Sequence, residues 1–178
     1  MSAPEISRSE SRIGLGLGAN LGDPAENLRR AVAALRDAGV VFDALSSLYA
    51  TPPWGVTDQP DFVNACALAR TRLAPLDLLD LLKTTERALV REETRRWGPR
   101  IIDIDLLFYD DLISRDDRLV LPHPGVLERA FVLVPLAELA PGLRIAGARL
   151  ADAARGADAS GIRRLTSFFP ETPFENGA

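Results

Sequence analysis

Asp103 and Asp105 stand two residues apart in the run Ile101-Ile102-Asp103-Ile104-Asp105-Leu106-Leu107. On a strand, side chains alternate faces, so both carboxylates share one face while Ile102, Ile104 and Leu106 occupy the other. Two carboxylates whose Cα atoms are about 7 Å apart repel unless something positive sits between them. A hard cation such as Mg²⁺ meets that need and keeps coordination positions for phosphate oxygens. A bare Asp-x-Asp is equally at home on the solvent-facing side of an edge strand, so the pair alone leaves both readings open. Its company tilts the balance. Arg95, Arg96 and Arg100 precede the strand, with Trp97 and Pro99 among them, and cations beside a metal-binding face are what a polyphosphate requires. A solvated basic loop is the plain alternative, stronger for Arg95 alone than for the cluster.

Glu86 falls on the same helical stripe as Leu79, Leu82 and Leu89, so its carboxylate faces inward and needs a partner there. It is either the structural partner of a nearby arginine, the reading slightly preferred, or a ligand contact. Asn64, two residues from Phe62 on an otherwise apolar strand face, could hydrogen-bond a flat heterocycle or satisfy the adjacent loop backbone. His123, the only histidine, sits in Leu-Pro-His-Pro. It is a candidate donor to phosphate, although a lone histidine is more often incidental. Gly14, Gly16 and Gly18 do not make a dinucleotide fingerprint, because Leu21 stands where the next glycine belongs. They describe a flat strand face that another segment or a ligand approaches closely. Cys66 reads as a core thiol. No nucleophile elbow supports Ser-His-Asp hydrolysis.

The elements that position these residues alternate along the chain. Residues 13–18 read as a strand, followed by the turn Ala19-Asn20-Leu21-Gly22. Asp23-Pro24 starts a helix, and Leu28, Ala31, Val32 and Leu35 recur at helical spacing until Gly39. A strand over 40–49 leads into a Pro- and Gly-rich loop. A second long strand over 62–73 has two largely apolar parity sets, so both its faces should be covered. Pro75 opens a helix to about residue 91, a basic loop leads to a strand over 101–109, and a helix-like run covers 126–139. The order β-α-β-β-α-β predicts an α+β fold: a ferredoxin-like antiparallel sheet with helices on both faces, a three-layer α/β/α arrangement. A doubly wound parallel sheet is the less favoured alternative, because the second and third strands lie too close for a crossover helix.

The chain of 178 residues suits one domain. Residues 1–12 are expected to be a flexible lead-in, 13–160 a single catalytic domain, and 161–178 a loosely ordered tail with Phe168 and Phe169 tacking it down. The net charge of −4 argues against a nucleic-acid-binding surface. One cysteine, no secretory signal and no apolar run of bilayer length make a cytoplasmic protein the expectation, with no membrane partner. A monomer is expected.

The ordered set Gly18-Ala19-Asn20-Leu21-Gly22, Tyr49-Ala50-Thr51-Pro52-Pro53, Gln59-Pro60-Asp61-Phe62-Val63-Asn64, Arg96-Trp97-Gly98-Pro99-Arg100, Asp103-Ile104-Asp105, Leu121-Pro122-His123-Pro124 and Arg129-Ala130-Phe131 resembles the 6-hydroxymethyl-7,8-dihydropterin pyrophosphokinase family. The resemblance runs over roughly residues 13–145. It implies transfer of diphosphate from ATP to the hydroxymethyl group of a reduced pterin in folate biosynthesis, with release of AMP. By that resemblance Asp103 and Asp105 hold a pair of Mg²⁺ ions, and with Arg100 they form the catalytic set. The pterin is read by Asn64 and the loop around Thr51, Pro52 and Trp54, and it is held between Phe62 and Phe131 with Trp97 closing the pocket. Glu86, Arg91, Arg100, His123 and Arg129 surround ATP. Two rival readings are another metal-dependent ATP enzyme, such as a nucleotidyltransferase, and a ferredoxin-like binding module. The former lacks a use for Asn64 and the Thr51 loop, the latter for two aspartates beside an arginine cluster.

Overall fold

A computed structural model describes residues 9–53, 58–89 and 101–169. In chain order the elements are β1 (Ser11–Ala19), α1 (Pro24–Asp37), β2 (Val41–Leu45), β3 (Tyr49–Thr51), β4 (Phe62–Thr71), α2 (Pro75–Leu89), β5 (Asp103–Tyr109), β6 (Ser114–Arg115), β7 (Val120–Leu121), α3 (Ala130–Leu139), β8 (Arg144–Ile145), β9 (Ala148–Arg149), α4 (Leu150–Gly156) and β10 (Arg163–Arg164). The main sheet runs β10-β3-β4-β1-β5, with β2 also on β4. Every pairing in it is antiparallel. This is the expected ferredoxin-like α+β order, because each helical crossover skips the place its neighbour fills.

Parity divides the two sides. Ile13, Leu15, Leu17, Ala65, Ala67, Ala69, Ile104 and Leu106 point to one face, where they pack with Leu28, Val32 and Leu35 of α1 and Leu78 and Leu82 of α2. Cys66, Leu107 and Phe108 point to the other, beneath Val132, Leu133 and Leu136 of α3 and Leu150 of α4. α3 is apolar nearly all round because it lies between the sheet and α4. Among the described residues, no helix is long and apolar enough to cross a membrane.

Four details differ from the sequence expectation. The strand over 40–49 is broken at residues 46–48, where Ser46 enters the ladder with its side chain: Oγ accepts the Cys66 N–H at 2.9 Å while the Ser46 N–H donates to the Cys66 carbonyl. The buried stripe of α2 centres on Leu78, Leu82 and Thr85, with Leu79 and Leu89 only partly covered. The helix expected from 126 begins at Ala130, since Arg129 holds extended dihedrals and residues 124–128 form turns.

The fourth difference is the C-terminal segment. It packs through residue 169 rather than hanging loose: β10 pairs with β3, the Leu165 N–H donates to Leu48 O, and Thr166 O accepts the Leu48 N–H, both at 2.8 Å. Phe168 is buried in the core, its carbonyl accepts from Arg29 Nε, and its ring meets Phe169 edge-on.

Glu138 of α3 ties these pieces together. Its carboxylate accepts the Ser47 N–H, the Ser47 hydroxyl at 2.8 Å and the Tyr49 hydroxyl at 2.9 Å, and Arg164 Nη2 lies 3.7 Å away. Burial, then the hydrogen bond to Glu138, pushes the Tyr49 hydroxyl from 10.0 up to about 12. The stability that its protonated form contributes is therefore complete below about pH 10 and lost as pH rises toward about 12. Thermal unfolding followed over that interval should fall more steeply in the wild type than in Tyr49→Phe. Equal slopes would remove this role.

Candidate active site

The site lies on the sheet face that carries α3, at the end that α3 leaves uncovered. The strand register builds its floor. Gly16 pairs with Asp105 on one side and Cys66 on the other, and Gly18 pairs with Asp103 and Asn64. The glycine strip thus separates two carboxylates from one amide, with no side chain between them. A Cβ on Gly18 would stand 2.5 Å from Asn64 Oδ1, and one on Gly14, beneath α3, would stand 2.2 Å from the Phe108 ring. The flatness read from the glycines is a steric requirement at both positions.

The walls of the resulting pocket are Pro52, Phe62, Asn64, Phe131 and Arg129, with Asp103 and Asp105 at its other end. Asn64 is buried, and its Nδ2 donates to Thr51 Oγ1 at 2.6 Å. That bond fixes the amide, so Oδ1 is turned toward the glycine strip. Asn20 fastens the approach to β4, donating through Nδ2 to Gln59 Oε1 and to Pro60 O, each at 3.0 Å. The GANLG turn therefore acts as a brace for the strand that carries Phe62 and Asn64.

At the carboxylate end, Asp105 is partly buried. Its carboxyl is lifted above the usual range first by burial and then by the Asp103 charge, against the pull of His123, Lys83 and Arg129. His123 is held by its N–H to Leu107 O at 2.8 Å, and its Nδ1 accepts the Gly125 N–H at 3.1 Å. The remaining nitrogen, Nε2, lies 4.0 Å from Asp105 Oδ2 and, with Nδ1 accepting, is the one placed to donate. Burial lowers the imidazole's pKa, with Asp105 pulling the other way. Arg129, at the N-cap of α3, lies over the Phe131 ring at 5.9 Å. Gly125 makes room for it: a Cβ there would stand 2.5 Å from Arg129 Nε.

Glu86 faces inward as its stripe position implies, and among the described residues its partners are a lysine and a backbone N–H. Oε1 accepts from Lys83 Nζ at 2.8 Å and from the Ile104 N–H at 2.6 Å, on the outer edge of β5. Burial raises its carboxyl, opposed by both of those donors. Trp54, Arg91, Trp97 and Arg100 lie outside the described residues. The structure thus brings Asp103, Asp105, Pro52, Phe62, Asn64, Phe131 and Arg129 to one pocket. Thr51 stands behind Asn64, His123 stands beside Asp105, and Glu86 is one strand edge away. Sequence reasoning missed Lys83, whose spacing of three from Glu86 was the available signal. It also missed Gly125 and Glu138, the lone carboxylate in an apolar helix.

A divalent cation fits the donor set. Two carboxylates share one face, and Asp103 holds up the carboxyl of Asp105, a cost that a cation would relieve. Among the described residues no group of three His, Cys, Asp or Glu side chains has metal-holding geometry. The remaining ligands would then come from substrate oxygens and water, as Mg²⁺ prefers.

Residues 14–141 match the family model for 7,8-dihydro-6-hydroxymethylpterin-pyrophosphokinase. A 2-amino-4-hydroxy-6-hydroxymethyldihydropteridine pyrophosphokinase of Methylorubrum extorquens is 51% identical over 156 residues, covering 87% of this chain and 99% of that protein. The Pseudomonas aeruginosa protein of the same name is 42% identical over 158 residues, covering 86% and 96%. A wild-type Plasmodium falciparum HPPK-DHPS chain crystallised with pteroate superposes with a TM-score of 0.67 at 15% identity, covering 83% of this chain. This chain spans 42% of that longer one, and the likeness speaks for the fold alone. The family model's match over residues 14–141 and these relatives show that the chain belongs to the 7,8-dihydro-6-hydroxymethylpterin-pyrophosphokinase family.

Proposed function

We propose that this protein transfers diphosphate from ATP to the hydroxymethyl group of 6-hydroxymethyl-7,8-dihydropterin in an Mg²⁺-dependent step of folate biosynthesis, releasing AMP. The observation that carries this reading is the bare Gly16–Gly18 strip. It sets a carboxylate pair at one end of a pocket and a fixed amide between aromatic walls at the other.

Asn64 uses Nδ2 on Thr51, so its Oδ1 is left to accept N–H donors of the heterocycle. Phe62 and Phe131 offer faces for ring stacking. Asp103 and Asp105 would hold the cation, whose contribution when bound is to neutralise phosphate charge and acidify the attacking hydroxyl. His123 is presented as a neutral donor through Nε2, and Arg129 as a fixed cation, both beside the aspartates. The pterin hydroxyl oxygen forms a bond to the β-phosphorus and the bond from that phosphorus to the α,β-bridging oxygen breaks. AMP then leaves and the hydroxyl proton passes to solvent. Positioning and charge neutralisation carry such a transfer, so no strong side-chain base is required. In the same reading, Arg91 and Arg100 add cations to the phosphates, the loop backbone near Trp54 helps to read the pterin, and Trp97 helps to close the pocket.

The test is to mix protein, Mg²⁺, ATP and the pterin and follow AMP. AMP formed in step with consumed pterin is the expected result. AMP formed without pterin, or none at all, overturns the proposal.

A further inference from the structure

The family match ends at residue 141, yet the chain beyond it returns to the pocket. A turn at residues 159–162, closed by the Ile162 N–H on Ala159 O, places Gly161 at φ +80, a value that glycine adopts freely. A Cβ at that position would stand 2.7 Å from Pro52 Cγ and 3.3 Å from Cδ. From there Arg163 pairs with Ala50 and Arg164 with Tyr49, on the strand that delivers Thr51 and Pro52 to the pocket. Arg164 is fastened in turn, its Nε donating to Ser47 Oγ at 2.7 Å beside Glu138, and the segment ends with Phe168 buried in the core.

We propose that residues 161–168 are a positioning strap: Gly161 backs Pro52, so this segment sets the shape of the heterocycle end of the pocket and hence the affinity for its acceptor. The inference rests on the pterin reading of that pocket. β3 contributes only three residues to the sheet, and its outer edge would otherwise be open. Once β10 covers that edge, Tyr49 and Ala50 are paired on both sides, Thr51 is paired to β4 beside them, and Gly161 stands against Pro52. Thr51 then holds the Asn64 amide, and Pro52 forms a wall directly. The carboxylate end of the pocket lies across the glycine strip, so an effect through Pro52 should fall on the acceptor and spare ATP.

The experiment compares Gly161→Ala with Gly147→Ala. Gly147 also has positive φ (+83), but a Cβ there meets nothing within 4 Å, so it supplies the backbone cost without the collision. Steady-state kinetics should show KM for the pterin raised about tenfold in Gly161→Ala relative to Gly147→Ala, with KM for ATP unchanged in both. In a Pro52→Ala background the two glycine variants should become equivalent, because the colliding Cγ and Cδ are gone. Equal pterin KM for the two single variants, or a loss that falls equally on ATP, overturns the strap. Failure of the wild type to form pterin-dependent AMP would instead overturn the reading of the pocket.

Discussion

Asp105→Asn should lower kcat by about a thousandfold, roughly 4 kcal/mol of transition-state stabilisation, while leaving the fold intact. The size follows from what the residue would do: it shares the cation with Asp103, and the amide keeps the shape but loses the charge. The same substitution should not destabilise the free protein. The Asp105 carboxyl is held above its ordinary range by burial and by Asp103, so the stability its protonated form contributes is present at low pH. That stability is lost as pH rises through the raised folded-state value. At neutral pH the wild type carries that penalty and Asp105→Asn does not. Calorimetry should therefore show a melting temperature in the variant equal to or above the wild type without metal, and a rise on adding Mg²⁺ in the wild type alone. Near-normal turnover in Asp105→Asn would end the assignment of the pair to a metal.

The division of labour on this sheet face has a packing cause. α3 and α4 cover the half built from Cys66, Leu107 and Phe108, and the half built from Gly16, Gly18 and Asp103 keeps its pocket. A face with two glycines and two carboxylates offers little apolar area to bury, so a helix gains little by extending over it. The same composition that makes the site chemically useful keeps it open.

How much of this was legible in the sequence depended on whether the signal was local. Part of the asparagine-and-carboxylate face could be read because strand parity is local: counting puts Asn64 with Cys66 on one strand and Asp103 with Asp105 on another, while their sharing one sheet face follows only from the register through Gly16 and Gly18. The start of α1 could be read because Asp23 and Pro24 carry their capping chemistry in place, as the Asp23 bond to the Glu26 N–H shows. β10 could not. Its paired residues are two arginines with no apolar alternation, and they form a strand only because β3, more than a hundred positions earlier, offers an edge. The break at Ser46 was hidden for the same reason, since it exists to meet Cys66 across the ladder. Glu86 shows the middle case. Helical spacing gave its direction, but the partner depended on where β5 ended up, and a backbone N–H cannot be seen in a side-chain pattern.

Gly18→Ala should raise KM for the pterin and reduce kcat/KM by about a hundredfold, the scale of an ångström-sized misplacement at a reacting centre. The added Cβ would meet Asn64 Oδ1 at 2.5 Å, and the amide has no free direction in which to yield. Its Nδ2 is committed to Thr51 Oγ1, and its Cα is locked in register between β1 and β3. Either the Asn64–Thr51 bond breaks, leaving buried polar groups short of a partner, or β1 shifts and takes the Asp103 register with it. Overpacking of this kind costs about 1–3 kcal/mol of stability as well, so stability loss alone would not be diagnostic. Gly14→Ala supplies the comparison, because its Cβ collides with Phe108 at 2.2 Å on the same strand face, under α3 and away from the pocket. Both variants should melt earlier, and only Gly18→Ala should lose pterin affinity. If Gly14→Ala weakened pterin binding as much, the glycine strip would matter to the sheet alone, and the placement of Asn64 by Gly18 would have to be abandoned.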